Sequence, residues 1–322
     1  MSSIQLPLPA GPRHRNQQLF SDYYLDTLLP QRGDWQMLAS EANAAKASIA
    51  AIFAGFTPSK NEAQTEHELV RPILAALGHT FEVQAPLATA QGTKKPDYIL
   101  YRDLAALNAN KGVVLDETRL VAGGLAVGEA KYWDRPLDVA LQEKGDAFDN
   151  RNPSYQIAFY MLHSGVTWGI LTNGRLWRLY HRDTAHKLDR YYEVDLPALL
   201  AEDDPAAFLY FYGFFRSAAF DPGPLALQAL LQASRDYAAA VGDTLKVQVY
   251  EALRHLAQGF LDYAPNGLQP DPLTLKAVYL PRPRCTTCGR PIKNMCHPCV
   301  RSRPKPPRSN AVWRGWSTRL MG

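Results

Sequence analysis

The sequence predicts an α/β fold in which a small mixed β-sheet is flanked by helices and followed by a helical C-terminal region. Short apolar runs predict strands at residues 81–87, 97–101 and 125–132. Asn173-Gly174 lies between two further apolar runs and predicts a β-hairpin with a type I′ turn. Helical spacing before and after these strands supplies the layers that an α/β domain needs to cover its sheet.

Four regions are predicted along the 322 residues: a helical segment at 1–57, a core at 58–200, a helical connector at 201–280 and a basic, Cys-rich tail at 281–322. Asn and Gly residues between the second and third strands predict a loop or an inserted hairpin. In the connector, Asp243 is the expected N-cap of a helix. Its core stripe is predicted from apolar residues three or four apart: Leu245, Val249, Leu253, Leu256 and Phe260.

An amphipathic helix is predicted to precede the first strand and to end at Gly78. Glu62 and Glu66 share the spacing of apolar positions such as Val70, so both fall on the stripe that faces the sheet. A carboxylate on a buried stripe is usually a ligand or a paired charge. Glu68 falls on the other face and is expected in solvent. The alternative is that the whole start of this helix is solvated.

Three charged residues fall in the predicted strands, where a buried charge is costly. Asp97 begins the second strand, and Glu129 and Lys131 lie in the third. Because strand side chains alternate, Glu129 and Lys131 should project to one side while Ala130 points into the core. Neighbouring carboxylates repel unless a cation lies between them, and Mg²⁺ prefers oxygen ligands. The alternative is a solvated salt bridge on an exposed strand.

A further helix carries Gln156 and Tyr160, which lie one turn apart on one face. From the residues alone, a buried amide that caps a loop is one interpretation of Gln156.

Together these segments resemble the PD-(D/E)XK nucleases. Residues 60–200 are similar to the N-terminal nuclease domain of type IIG restriction–modification enzymes, and Gln-x-x-x-Tyr is similar to the motif of the RecB-like branch. The resemblance implies a restriction-endonuclease-like core and Mg²⁺-dependent cleavage of double-stranded DNA. It implies that Asp97, Glu129 and Lys131 are catalytic, that Gln156 is an accessory catalytic residue, and that Glu66, Asp97 and Glu129 bind Mg²⁺. Five ordered segments carry it: Thr65-Glu66-His67-Glu68-Leu69-Val70-Arg71-Pro72, Lys95-Pro96-Asp97-Tyr98, Gly128-Glu129-Ala130-Lys131-Tyr132-Trp133, Asn152-Pro153-Ser154-Tyr155-Gln156 and Leu171-Thr172-Asn173-Gly174-Arg175-Leu176-Trp177.

The family joins this nuclease to an adenine methyltransferase and a target-recognition domain, and neither is expected here. Asn152-Pro153-Ser154-Tyr155 imitates the methyltransferase motif Asn-Pro-Pro-Tyr but lacks its second proline and lies inside the predicted nuclease core. We therefore expect no methylation by this polypeptide. A separate methyltransferase or specificity subunit is the partner that the resemblance leaves open.

Positive charge is concentrated in the tail. Residues 281–322 hold ten Lys or Arg and no Asp or Glu, which leaves 25 basic and 31 acidic residues in 1–280. The predicted nuclease core is therefore not broadly basic. Lys94, Lys95 and Tyr160 are the candidate DNA contacts near the site, and Arg135, Arg175 and Arg178 are further cations for a phosphate groove.

All four cysteines lie in this tail, at Cys285, Cys288, Cys296 and Cys299. Paired Cys-x-x-Cys units in a cytoplasmic chain are typical of tetrahedral Zn²⁺ sites rather than disulfides. The alternative is a disordered cationic extension, which the seven prolines of the tail favour. A truncation with a change of reading frame, or a fusion to a zinc-knuckle segment, would each produce this pattern.

No run of about 18 apolar residues predicts a membrane span, and the N-terminus shows no apolar leader, so we expect a cytoplasmic protein without a membrane partner. Two functions remain from the sequence. The first is a Mg²⁺-dependent DNA endonuclease of restriction type. The second is a non-catalytic DNA-binding remnant of a restriction–modification enzyme.

Overall fold

The structure is a computed structural model that describes residues 13–140 and 152–267. The chain divides into two compact units, residues 1–240 and 241–322, so the predicted boundaries at 57 and 200 fall inside the first unit. Nine strands are described: β1 (Arg15–Gln17), β2 (Thr80–Val83), β3 (Leu87–Thr89), β4 (Gly92–Lys94), β5 (Tyr98–Tyr101), β6 (Gly124–Ala130), β7 (Trp168–Thr172), β8 (Leu176–His181) and β9 (Tyr191–Asp195).

Helices precede, interrupt and follow these strands. The α-helices are Gly33–Met37, Ala39–Gly55, Glu62–Thr65, Arg71–Ala76, Leu104–Asn110, Glu117–Leu120, Pro153–Ser164, Arg182–Ala185, Leu196–Ala201, Pro205–Phe215 and Leu227–Asp262. Two π-helical turns, Tyr24–Leu28 and Glu66–Val70, and three 3₁₀ turns, Leu29–Gln31, Ser217–Ala219 and Ala264–Asn266, complete the described set. Among these helices, none is long and apolar enough to cross a membrane.

Seven strands form one sheet in the order β1-β9-β8-β7-β6-β5-β2, and β3 pairs with β4 in a separate hairpin. Strands β6 and β7 are parallel, and the other described neighbours are antiparallel. The prediction of an α/β fold with a mixed sheet, flanking helices and a helical C-terminal region is confirmed at this level.

The sheet separates two apolar cores because its side chains alternate between faces. Tyr98 and Leu100 of β5 join a core with the helices Ala39–Gly55 and Pro205–Phe215. Ile99 and Tyr101 join the opposite core, which includes helix Pro153–Ser164. Asp97 directly precedes β5 and Glu129 lies at the end of β6, so both residues lie at one end of these neighbouring strands.

Several local predictions need correction. The segment between the second and third strands holds the short helices Leu104–Asn110 and Glu117–Leu120 instead of a hairpin or loop. Asp103 and Asp116 cap them by accepting hydrogen bonds from the backbone three residues on. The hairpin at Asn173-Gly174 is present, but only Gly174 of this pair has a positive φ, +82°, so the turn is not type I′.

The connector prediction is also wrong in two respects. Helix Leu227–Asp262 begins well before Asp243, which therefore lies inside a helix and caps nothing. The stripe predicted as core is 46–62% exposed at each of its positions, Leu245, Val249, Leu253, Leu256 and Phe260.

Candidate active site

Asp97 and Glu129 lie on neighbouring antiparallel strands. Tyr98 of β5 pairs with Gly128 of β6, so the next step of the register sets Asp97 opposite Glu129. Opposed residues share one face of a sheet, and here it is the face covered by helix Pro153–Ser164. Both carboxylates are buried, at 8% and 2% exposure, and Oδ2 of Asp97 accepts a hydrogen bond from the backbone N–H of Ala130 at 2.8 Å.

Lys131 lies directly after β6 and projects to the same side as Glu129. Its Nζ donates to Oε1 of Glu129 at 2.8 Å and lies 3.6 Å from Oε1 of Glu62. Ala130 between them is fully buried in the opposite core. The predicted alternation of residues 129–131 is therefore present, and the lysine bridges a strand carboxylate to a helix carboxylate.

The helical run that begins at Glu62 delivers two carboxylates to the site. Glu66 is buried, Glu62 is half-buried, and Glu68 is exposed, as the helical phase predicts. Carboxylate oxygens of Glu62, Glu66 and Asp97 lie within 4.8 Å of one another. Oε2 of Glu129 is buried and has no hydrogen-bond partner among the residues that the structure describes. Hard oxygen donors gathered this closely, with one buried acceptor unpaired, fit Mg²⁺.

The charges of the site oppose one another. Burial raises the pKa of Asp97 well above its ordinary value, and the charges of Glu129 and Glu66 add to this while Lys131 counteracts it. Burial also raises the pKa of Glu129, again against the effect of Lys131. For Lys131, burial disfavours the ammonium form, but Glu129, Glu62 and Asp97 together raise its pKa. Lys131 is therefore shared by Glu129, Glu62 and Asp97, and a divalent cation would reduce this excess of negative charge.

Gln156 and Tyr160 lie one turn apart on helix Pro153–Ser164. The Gln156 amide is half-buried, and the Tyr160 hydroxyl donates to the backbone carbonyl of Lys95 at 3.1 Å. Burial raises the pKa of Tyr160, and the negative charges of Glu129 and Asp97 contribute. Tyr160 is only 2% exposed, so its ring lies under the site and is not available to stack on DNA. We reassign it from a DNA contact to a support for the segment before Asp97.

The hairpin turn supports the site from the side. The hypothetical Cβ of Gly174 would lie 2.7 Å from Cδ2 of Leu69 and 3.2 Å from Cγ2 of Thr65, so the turn packs directly on the Glu66 helix. The Thr65 hydroxyl in turn accepts a hydrogen bond from the backbone N–H of Trp133 at 3.3 Å. These contacts join the helix, the Lys131 segment and the turn.

The predicted phosphate groove is not formed by the arginines. Arg135 is buried and donates to the backbone carbonyls of Pro136 and Val139. Arg178 is buried against Glu193, stacks on Tyr191 and pairs with Asp138. Arg175 is exposed but already paired with Asp134 and Asp195. Arg175 and Arg178 are paired with carboxylates and Arg135 is buried, so we assign structural roles to all three.

The two candidate lysines lie shortly before Asp97 in the chain. Lys94 ends β4 and is half-buried, whereas Lys95 is exposed two residues before Asp97. The zinc prediction for Cys285, Cys288, Cys296 and Cys299 lies outside the described residues.

Sequence reasoning missed two residues that hold Glu66. The Tyr98 hydroxyl donates to Oε2 of Glu66 at 2.8 Å, and Nη2 of Arg71 donates to the same oxygen at 3.3 Å. The position of Tyr98 could be predicted, because it follows Asp97 in the strand and must therefore project to the other face of β5. Arg71 had none, because in a regular helix a residue five positions away projects elsewhere.

Comparison of the chain with family models, with curated proteins and with solved structures gives no match in any of the three. The carboxylate and lysine cluster is therefore the feature from which we infer a function.

Proposed function

We propose that this protein is a Mg²⁺-dependent endonuclease that hydrolyses DNA phosphodiester bonds. The observation that carries the proposal is the buried pair Asp97 and Glu129 on adjacent strands, with Lys131 held 2.8 Å from Glu129 and Glu66 brought in by a helix. Burying these charges is costly, so a fold that keeps them together suits a bound cation. The order of these residues along the chain is that of the PD-(D/E)XK nucleases that the sequence resembles.

Glu66, Asp97 and Glu129 are the residues that would hold the ion, with Glu62 beside them. When bound, Mg²⁺ would neutralise the carboxylates and stabilise negative charge developing on the phosphate. Residues 1–280 carry a net negative charge, so a DNA backbone approaching the carboxylates needs this compensation.

Lys131 serves as a cation in the proposed reaction. Its pKa lies above the ordinary value because Glu129, Glu62 and Asp97 outweigh the effect of burial, so the ammonium form persists at neutral pH. A protonated lysine donates hydrogen bonds and stabilises negative charge, but it cannot accept a proton. We therefore assign Lys131 to orienting the attacking water and stabilising charge at phosphorus. We assign Gln156, one helical turn from Tyr160, an accessory role in the site, and we assign the exposed Lys95 to contact with a backbone phosphate.

Nicking of supercoiled plasmid DNA tests the proposal. The wild-type protein with Mg²⁺ is compared with Lys131→Ala and with Lys246→Ala, whose lysine is exposed and pairs only with Asp243 among the described side chains. We expect wild type and Lys246→Ala to nick the plasmid, and Lys131→Ala and EDTA-treated wild type to lose at least 100-fold in rate, since a transition-state contact of about 2.7 kcal/mol is removed.

Equal nicking by Lys131→Ala and wild type would overturn the proposal, because it would show that the nicking does not depend on this site. Mg²⁺-independent retention of DNA without nicking would support the alternative, a non-catalytic DNA-binding remnant. A methyltransferase or specificity subunit as partner, and residence in the cytoplasm, remain part of the restriction–modification proposal.

A further inference from the structure

Glu66 lies at a local irregularity of its helix. The backbone N–H of Arg71 bonds to the carbonyl of Glu66, five residues earlier, and Glu66–Val70 is a π-helical turn between two α-helical segments. In an α-helix, neighbours on one face are three or four residues apart, so residues five apart do not meet. The π turn brings Arg71 round to the Glu66 carboxylate, and such turns occur often at functional sites.

Tyr98 meets the same carboxylate from the sheet. Its hydroxyl donates to Oε2 of Glu66 at 2.8 Å, the same oxygen to which Nη2 of Arg71 donates at 3.3 Å. Its ring lies across Gly128, where an added Cβ would be 3.1 Å from Cβ of Tyr98 and 3.2 Å from its Cδ2. The glycine of Gly128-Glu129-Ala130-Lys131 therefore makes room for this ring. One strand pair thus supplies Asp97 and Glu129 on one face and the support for Glu66 on the other.

We propose that Tyr98 and Arg71 are positioning residues that hold Oε2 of Glu66 and thereby leave Oε1 as the oxygen that binds the metal ion. The inference rests on the proposed function of the carboxylate cluster. Neither residue touches the reacting atoms. Their contribution is to fix a long, flexible glutamate side chain in the orientation that brings it within 4.8 Å of Asp97. Replacing a residue that orients a metal ligand in this way typically lowers metal affinity 10- to 100-fold.

Binding of Mn²⁺ to the full chain, followed by electron paramagnetic resonance of the free ion, tests the inference without depending on activity. The variants are Tyr98→Phe, Arg71→Gln and Arg71→Lys. The matched control is Tyr101→Phe, which removes a hydroxyl from the same strand that donates to Glu82 at 3.3 Å, outside the site. We expect Tyr98→Phe and Arg71→Gln to weaken Mn²⁺ binding about 10-fold or more. Arg71→Lys should recover part of the loss, and Tyr101→Phe should bind as wild type does.

Plasmid nicking at rising Mg²⁺ provides the second readout. Tyr98→Phe should require more Mg²⁺ for half-maximal rate but approach the wild-type rate at saturation, whereas a general structural defect would lower the rate at every Mg²⁺ concentration. If wild type binds Mn²⁺ and Tyr98→Phe binds it equally well, the positioning inference is wrong while the nuclease proposal stands. If wild type itself neither binds Mn²⁺ nor nicks DNA, the nuclease proposal fails first.

Discussion

Replacing Asp97 by Asn should stabilise the metal-free protein while abolishing its activity. Carboxylate oxygens of Asp97 and Glu66 lie within 4.8 Å, and two like charges at that distance repel by about 3.5 kcal/mol at an effective dielectric constant of about 20. Asn removes this repulsion and the repulsion from Glu129, and its side-chain oxygen can still accept from the backbone N–H of Ala130. Loss of attraction to Lys131 offsets part of the gain, which leaves about 1–3 kcal/mol.

Thermal unfolding in EDTA near neutral pH measures this gain. For a domain of this size the melting temperature of Asp97→Asn should rise by roughly 2–12 °C. Asp103→Asn is the matched control, because Asp103 also accepts a backbone N–H hydrogen bond at 2.8 Å but is exposed and caps a helix. Its melting temperature should change little, since Asn caps as well as Asp. Mg²⁺ should raise the melting temperature of wild type and leave that of Asp97→Asn nearly unchanged.

Destabilisation of Asp97→Asn in EDTA by about 3 kcal/mol or more, as when a buried ion pair is broken, would contradict this prediction. That result would mean that the pair of Asp97 with Lys131 outweighs the repulsion among the carboxylates.

Three further predictions concern pH and packing. Burial raises the pKa of Asp97 in the folded state. The stability advantage of Asp97→Asn over wild type in EDTA should therefore shrink as the pH falls through that raised pKa. It should vanish below the ordinary pKa of 3.8, where Asp97 of wild type is protonated in both the folded and the unfolded state. Chemical denaturation across pH measures the difference, and an advantage that grows on acidification would contradict it. Gly174→Ala should lower the free energy of unfolding by about 1–3 kcal/mol, because φ is +82° and the added methyl meets Leu69, whereas Gly223→Ala has open space and should cost little. Equal effects of the two glycine substitutions would exclude the packing argument. Glu193→Gln should lower the free energy of unfolding in urea by about 3 kcal/mol, because the buried Arg178 guanidinium loses its buried carboxylate partner. An unchanged free energy of unfolding would show that Asp138 alone compensates the charge of Arg178.

The sequence predicts those parts of the site that follow from the periodicity of strands and helices. Strand alternation gives the shared side of Glu129 and Lys131, and helical phase separates buried Glu66 from exposed Glu68. Tertiary contacts set the rest. The π turn at Glu66–Val70 and the hydrogen bond from Tyr98 to Glu66 are not predicted by any local pattern.

Charge was the least reliable guide. Arg135 and Arg178 carry the guanidinium group that often binds phosphates, but the fold buries both side chains against internal hydrogen-bond acceptors. A one-dimensional sequence does not show which cations are already compensated. The exposed stripe of helix Leu227–Asp262 is a similar case, because periodicity identifies an apolar face but not what covers it.

Cleavage of duplex DNA in ¹⁸O-labelled water tests whether water attacks phosphorus at the cluster of Asp97, Glu129 and Lys131. With Mg²⁺, the terminal phosphates of the products should gain one labelled oxygen by mass spectrometry, and Asp97→Asn should yield no labelled product under the same conditions. Cleaved products without the label, or labelled products formed equally by Asp97→Asn, would contradict the assignment of hydrolysis to this site.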